Sequence, residues 1–189
     1  MALNIVTLAE YKTYAMINST NQDPEIKLIM PGITAFIRTY CNRTFVDYFS
    51  DTKTEVFSGG YSSYITKEYP LISISSLEYS SDNGATYTTL TEYVDYVYDG
   101  ELERVVPTNG SVFPKLVNGY KITYNAGFEV YPVEIKLAAM DLITYYLKSD
   151  SSVKSSRSAG SNTSQIEYVL NAGLPSNIRR ILDQYRSVN

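Results

Sequence analysis

Apolar positions over the first forty or so residues recur at helical spacing, and two polar signals mark where helices begin. Thr7-Leu8-Ala9-Glu10 is a capping box, in which the Thr7 hydroxyl and the Glu10 carboxylate each satisfy a backbone N–H of the first turn. It predicts a helix ending near Asn18. Asp23-Pro24-Glu25 is a second start, with Asp23 as N-cap and Pro24 at the first helical position, where a missing N–H is harmless. Ile26, Ile29, Met30, Ile33, Ile37 and Tyr40 then follow at three- and four-residue steps and make one apolar face. Pro31-Gly32 interrupts this run and predicts a kink or a split, because an interior proline costs roughly 3 kcal/mol.

From Thr44 to Tyr124 the period shortens. Thr54 to Phe57, Tyr61 to Thr66, Leu71 to Tyr79, Tyr93 to Tyr98 and Lys121 to Tyr124 are β-branched and aromatic runs bounded by turn residues, which predicts antiparallel strands. Asp82-Asn83-Gly84 and Asp99-Gly100 supply positive-φ residues for hairpins, and Gly59-Gly60 and Asn109-Gly110 mark further turns. Pro107 and Pro114 assign the stretch between them to a loop or sheet edge.

After the turn Asn125-Ala126-Gly127, Pro132 opens a helix expected from Val133 to about Lys148. Glu134, Asp141 and Lys148 share one narrow stripe, while residues such as Ile135, Leu142, Ile143, Tyr145 and Tyr146 occupy most other directions. Such a helix belongs to a core, to a subunit interface, or to both, and Tyr145 and Tyr146 are its candidate inter-subunit residues. The tract 149–164 is serine-rich and reads as a flexible loop able to order in an assembly. A short extended segment, Gln165 to Leu170, precedes a closing helix with the stripe Ile178, Ile181, Leu182 and Tyr185. The predicted fold is α+β: a bundle of about four helices, built from 1–43 and 132–189, with an antiparallel β insertion at 44–125, all in a single domain.

Composition narrows the function. Of 189 residues 44% are hydrophobic, enough for a core without metal or disulfide staples. Cys41 is the single cysteine and reads as a small core residue, not a nucleophile. Histidine is absent, so a Ser-His-Asp triad, a Cys-His pair and a His-ligated metal site are all excluded. No phosphate-binding glycine motif occurs, and no cofactor is implied. Sixteen basic against twenty acidic residues, a net charge of -4, argue against tight nucleic-acid binding. The N-terminal residues show no basic and apolar export signal, and no apolar run is long enough to span a membrane. Synthesis in a reducing compartment is expected, with no export by signal peptide.

Three candidate chemistries remain. Paired carboxylates, Glu92/Asp95 or Glu101/Glu103, could hydrolyse glycosides, although acidic residues at strand ends are usually solvated. Nineteen tyrosines suit half-buried strands, interfaces or a carbohydrate- or receptor-binding surface. Arg179, Arg180 and Arg186 lie off the apolar stripe of the closing helix and, with Tyr185, form a candidate partner surface.

Three phrases carry a resemblance. They are the helix pair from Thr7-Leu8-Ala9-Glu10 to Tyr40-Cys41-Asn42-Arg43; Tyr69-Pro70-Leu71-Ile72 through Tyr124-Asn125-Ala126-Gly127-Phe128 to Pro132-Val133-Glu134; and Leu174-Pro175 through Asp183-Gln184-Tyr185-Arg186. Together they resemble the head-tail connector adaptor (neck) proteins of tailed bacteriophages. The resemblance implies a non-catalytic structural protein in the virion neck at the capsid vertex. It would form a ring of about twelve copies that binds the portal protein and a stopper or tail-completion protein, with genomic DNA passing through the lumen.

Overall fold

The computed structural model describes residues 4–108, 112–149, 153–156, 165–168 and 174–187. The chain divides into two compact units, Met1–Cys41 with Pro132–Arg186, and Asn42–Tyr131 with Ser187–Asn189.

The first unit is helical. Helix α1, Leu8–Tyr14, carries the capping box in full: Glu10 N–H donates to the Thr7 hydroxyl at 3.2 Å and Thr7 N–H to the Glu10 carboxylate at 2.7 Å. It stops at Tyr14, short of the predicted end, where Met16 turns to φ 55°. Helix α2, Asp23–Cys41, begins one residue earlier than expected. The Gln22 carbonyl accepts the first helical bond, from Ile26 N–H, and the Asp23 carboxylate pairs with Lys12 at 2.8 Å instead of capping. Pro31 does not split this helix; Pro31 and Gly32 lie on its exposed face, where water can serve the carbonyl left without a donor. Ile26, Met30, Ile33, Ile37 and Cys41 are buried.

Helix α3, Val133–Ser149, packs on α2 and on α4, Ser176–Gln184. Its buried side chains, Ile135, Ala138, Ala139, Leu142 and Ile143, fall on one face, while Val133 remains 77% exposed and Tyr146 48%. Other directions, as at Met140, Asp141 and Thr144, are half-buried. Lys136 breaks the charge stripe and pairs with Glu10 at 2.8 Å. Part of the tract read as a loop is strand. Antiparallel β7, Val153–Ser156, pairs with β8, Gln165–Tyr168, through backbone bonds that need no apolar side chain. The rest of the tract from 150 to 164, with 169 and 170, lies outside the described residues.

The second unit is built on a four-stranded antiparallel sheet in the order β1-β6-β2-β3. Its strands are β1, Lys53–Phe57; β2, Leu71–Tyr79; β3, Thr88–Thr89; and β6, Tyr120–Ala126. Central β6 alternates strictly, with Tyr120, Ile122, Tyr124 and Ala126 buried between half-buried Lys121, Thr123 and Asn125. A separate hairpin pairs β4, Tyr96–Asp99, with β5, Arg104–Pro107.

The sheet departs from the sequence reading in three places. Tyr61 to Thr66 forms only the bridge Tyr64↔Val105, two reciprocal bonds of 2.8 Å. Tyr93 sits in a turn at φ 63° and the strand starts at Tyr96, because the Asp95 carboxylate folds back onto Thr91 N–H at 2.7 Å and closes that turn. In the β4–β5 loop the positive φ falls on Glu103, not Gly100. Asn83 and Gly84 take positive φ where the turn requires it.

Candidate functional site

The strongest concentration of polar chemistry is inside the sheet unit, at residues that sequence reasoning passed over. Glu55 on β1 is 7% exposed, and Glu68 and Arg43 are 1% and 3% exposed. Lys53 Nζ stands between the carboxylates, 3.1 Å from Glu55 and 3.6 Å from Glu68. The Tyr64 and Tyr124 hydroxyls each donate to Glu55 at 2.7 Å. Glu68 accepts from Thr44 N–H at 2.8 Å and from the Thr44 hydroxyl at 3.0 Å, tying the start of the unit to the segment before β2.

Arg43 lies 3.7 Å from Glu68, an ion pair too long for a hydrogen bond, and its Nε and Nη1 have no hydrogen-bond partner. One terminal nitrogen donates to the Tyr69 carbonyl. The guanidinium lies 3.6 Å from the Tyr69 ring centroid and 4.8 Å from that of Phe45, so ring faces take the place of the missing acceptors.

Two carboxylates and two cations make this centre neutral overall. Burial alone would raise the Glu55 pKa, yet hydrogen bonds from Tyr64 and Tyr124, with Lys53 beside them, leave it lowered and the carboxylate charged. Burial, then the Glu55 carboxylate, pushes the Tyr64 and Tyr124 hydroxyls well up. Hydrogen bonds and ion pairs thus tie the start of the unit, β1 and the segment before β2 together. One signal for this centre was present: Lys53, Glu55 and Phe57 alternate on the side of β1 that turns inward.

The candidate carboxylate pairs are not brought into any such site. Asp95 is spent on its own turn, and Glu92 and Glu101 are exposed. The tyrosines go chiefly into packing. Phe57 stacks on Tyr64 at 3.7 Å and on Tyr120 at 5.2 Å, and burial pushes the Tyr120 hydroxyl up to about 12. Among the described residues no group of three or more histidine, cysteine, aspartate or glutamate side chains could hold a metal. No helix of the described residues is long and apolar enough to cross a membrane.

In the helical unit, Arg179 and Arg180 are exposed on α4. Half-buried Tyr185 donates to Glu134 at 3.2 Å, and the Arg186 guanidinium stands 5.7 Å from the Tyr40 ring centroid. The Tyr40 hydroxyl in turn donates to Asp183 at 2.7 Å, so α2, α3 and α4 are linked around the base of the closing helix. Arg179 and Arg180 are thereby left facing solvent beside a fixed Arg186. Tyr145 and Tyr146 meet edge to face at 5.9 Å near the end of α3. Cys41 is fully buried and its thiol faces the Leu182 carbonyl at 3.6 Å, as a core residue.

Solved structures with the same fold are particle components. A chain in the virion of a native gene transfer agent (GTA) particle matches with a TM-score of 0.57 at 15% identity, covering 100% of this chain and 91% of that one. A chain in the neck of an empty GTA particle computed with C6 symmetry matches at 0.54 and 15% identity, covering 100% and 91%. One in the neck of a native GTA particle computed with C12 symmetry matches at 0.53 and 16% identity, covering 100% and 96%. Among curated proteins none matches. The family model for head completion proteins matches residues 4–188, a span that takes in every described residue, and the chain belongs to that family.

Proposed function

We propose that this protein is a non-catalytic neck component of a tailed phage or phage-like particle. Made in the host cytoplasm, it closes into a ring of identical copies beneath the portal and joins the capsid to a stopper or tail-completion protein. Genomic DNA passes through the ring. The observation that carries this reading is family membership over residues 4–188, supported by a fold shared along the full chain with components of particle necks. A ring of twelve is favoured by the C12 symmetry of one such neck. The only buried ionic centre among the described residues is neutral and encloses itself, in keeping with a structural part. A net charge of -4 suits a channel that must let DNA slide.

Within this reading the residues 1–43 and 132–189 supply neighbour contacts, with Tyr145 and Tyr146 among them. The exposed Arg179 and Arg180, with Tyr185 and Arg186, face the portal. The deciding experiment is two-dimensional class averaging of particle necks carrying a tag on this protein. Density for the tag at the capsid vertex supports the reading; a tag elsewhere, or heads and tails that join normally without the protein, overturns it.

A further inference from the structure

The sheet unit holds a cavity of about 260 Å³ lined by aromatic and aliphatic side chains, from Tyr79, Leu90, Phe113 and Tyr120 to the exposed Val112. It is smaller than the roughly 300–1,000 Å³ of small-molecule sites and has room for about one bulky side chain. Asp95 is its one charged lining residue. The turn holds that aspartate in place: its carboxylate takes Thr91 N–H at 2.7 Å and its carbonyl takes Thr108 N–H at 3.1 Å.

The segment that carries Asp95 is acidic. From Thr91 to Pro107 the chain carries Glu92, Asp95, Asp99, Glu101 and Glu103 against Arg104 alone, and Arg104 is committed to Asp99 at 3.1 Å. The neighbouring tyrosines register it. The Tyr96 hydroxyl is pushed up by burial and then by Glu92, and that of Tyr98 by burial and then by Glu103 and Asp99. An occupant should therefore bring an apolar side chain beside a cation.

The chain itself displays that pair. Leu28 on α2 is 80% exposed and directly follows Lys27, which is exposed and has no ion pair among the described residues. Of the other exposed large hydrophobic residues, Leu137 follows a basic residue too, but Lys136 is taken by Glu10 and Leu137 is only 38% exposed. One turn beyond Leu28, Gly32 has nothing within 4 Å of where a Cβ would stand, so another surface can approach the helix closely.

The geometry points to a contact between copies: Leu28 of one copy enters the cavity of the next, and Lys27 meets Asp95 and Glu92 there. This rests on the ring reading and gives it a mechanism. A knob and a socket on different units of the same chain form a heterologous contact, the kind that generates a ring when its rotation closes.

The test uses particles assembled with the full-length chain. In a Leu28→Cys, Val112→Cys double variant, oxidation produces a ladder of cross-linked copies that neither single variant gives; Cys41 is buried and does not contribute. Lys27→Glu and Glu92→Lys each lower the yield of joined particles at least tenfold, and combining them restores it. Double-cysteine particles that carry the chain at the neck without a ladder, or charge variants with wild-type yields, overturn this contact and leave the ring reading standing. If the wild-type chain is not at the neck, both fall.

Discussion

At the scale of single residues, the structure rests on a few polar side chains removed from water. Arg43 and Glu68 are buried, so removing one partner leaves an uncompensated charge. Glu68→Leu is expected to destabilise the protein by about 3–5 kcal/mol, whereas pairing it with Arg43→Met costs less than the two changes summed. Chemical denaturation of the four proteins of that cycle measures the coupling.

Glu10 adds a pH dependence at the other unit. The hydrogen bond from Lys136, then that from Thr7 N–H, lowers its pKa from 4.5 to about 2. Its contribution is complete above pH 4.5 and is lost as the pH falls toward about 2. Because the Glu10 side chain is 42% exposed the contribution is small, and Lys136→Ala flattens thermal stability across that acid window without moving it at pH 7 by more than about 1 kcal/mol.

At the scale of elements, glycines in different settings should respond in opposite directions. Gly32 sits inside α2 with open space around it, and Gly32→Ala is expected to raise stability by roughly 0.5–1 kcal/mol. At Gly59 an added Cβ would lie 1.9 Å from the Pro114 carbonyl oxygen, backbone that cannot swing aside, so Gly59→Ala should lower the melting temperature sharply. Thermal melts of the two variants check both.

The elements legible in the sequence are those with local causes: the Thr7 capping box, the Pro132 helix start, the long run of β2 and the Asn83-Gly84 turn. Tertiary bonds decided the others. Tyr64 is fixed by Val105 forty-one residues away, and Tyr93 is bent out of its strand by the Asp95 carboxylate. The exposure of Arg179 and Arg180 could be read from their place off the apolar stripe. The Glu55–Glu68 centre left only the inward alternation of Lys53, Glu55 and Phe57 as a signal, because its members come together only when the sheet has formed.

At the scale of the whole molecule, the closing helix gives a prediction about attachment. Charge reversal at Arg179, Arg180 and Arg186 together is expected to abolish portal attachment and cut infectious-particle yield at least tenfold, with the fold retained because Arg179 and Arg180 project into solvent. Pull-down on purified portal and plaque counts measure it; unchanged attachment removes that surface from the portal contact.

The strand order β1-β6-β2-β3 has a further consequence for how the protein comes into being. The middle strand is the last of its sheet to leave the ribosome, and β1 has no partner until Tyr120–Ala126 is made. A nascent chain stalled before residue 120 therefore holds an unzipped sheet. Synthesis of one seven-residue segment then completes it immediately ahead of α3, so the sheet closes late and in a single step of chain growth.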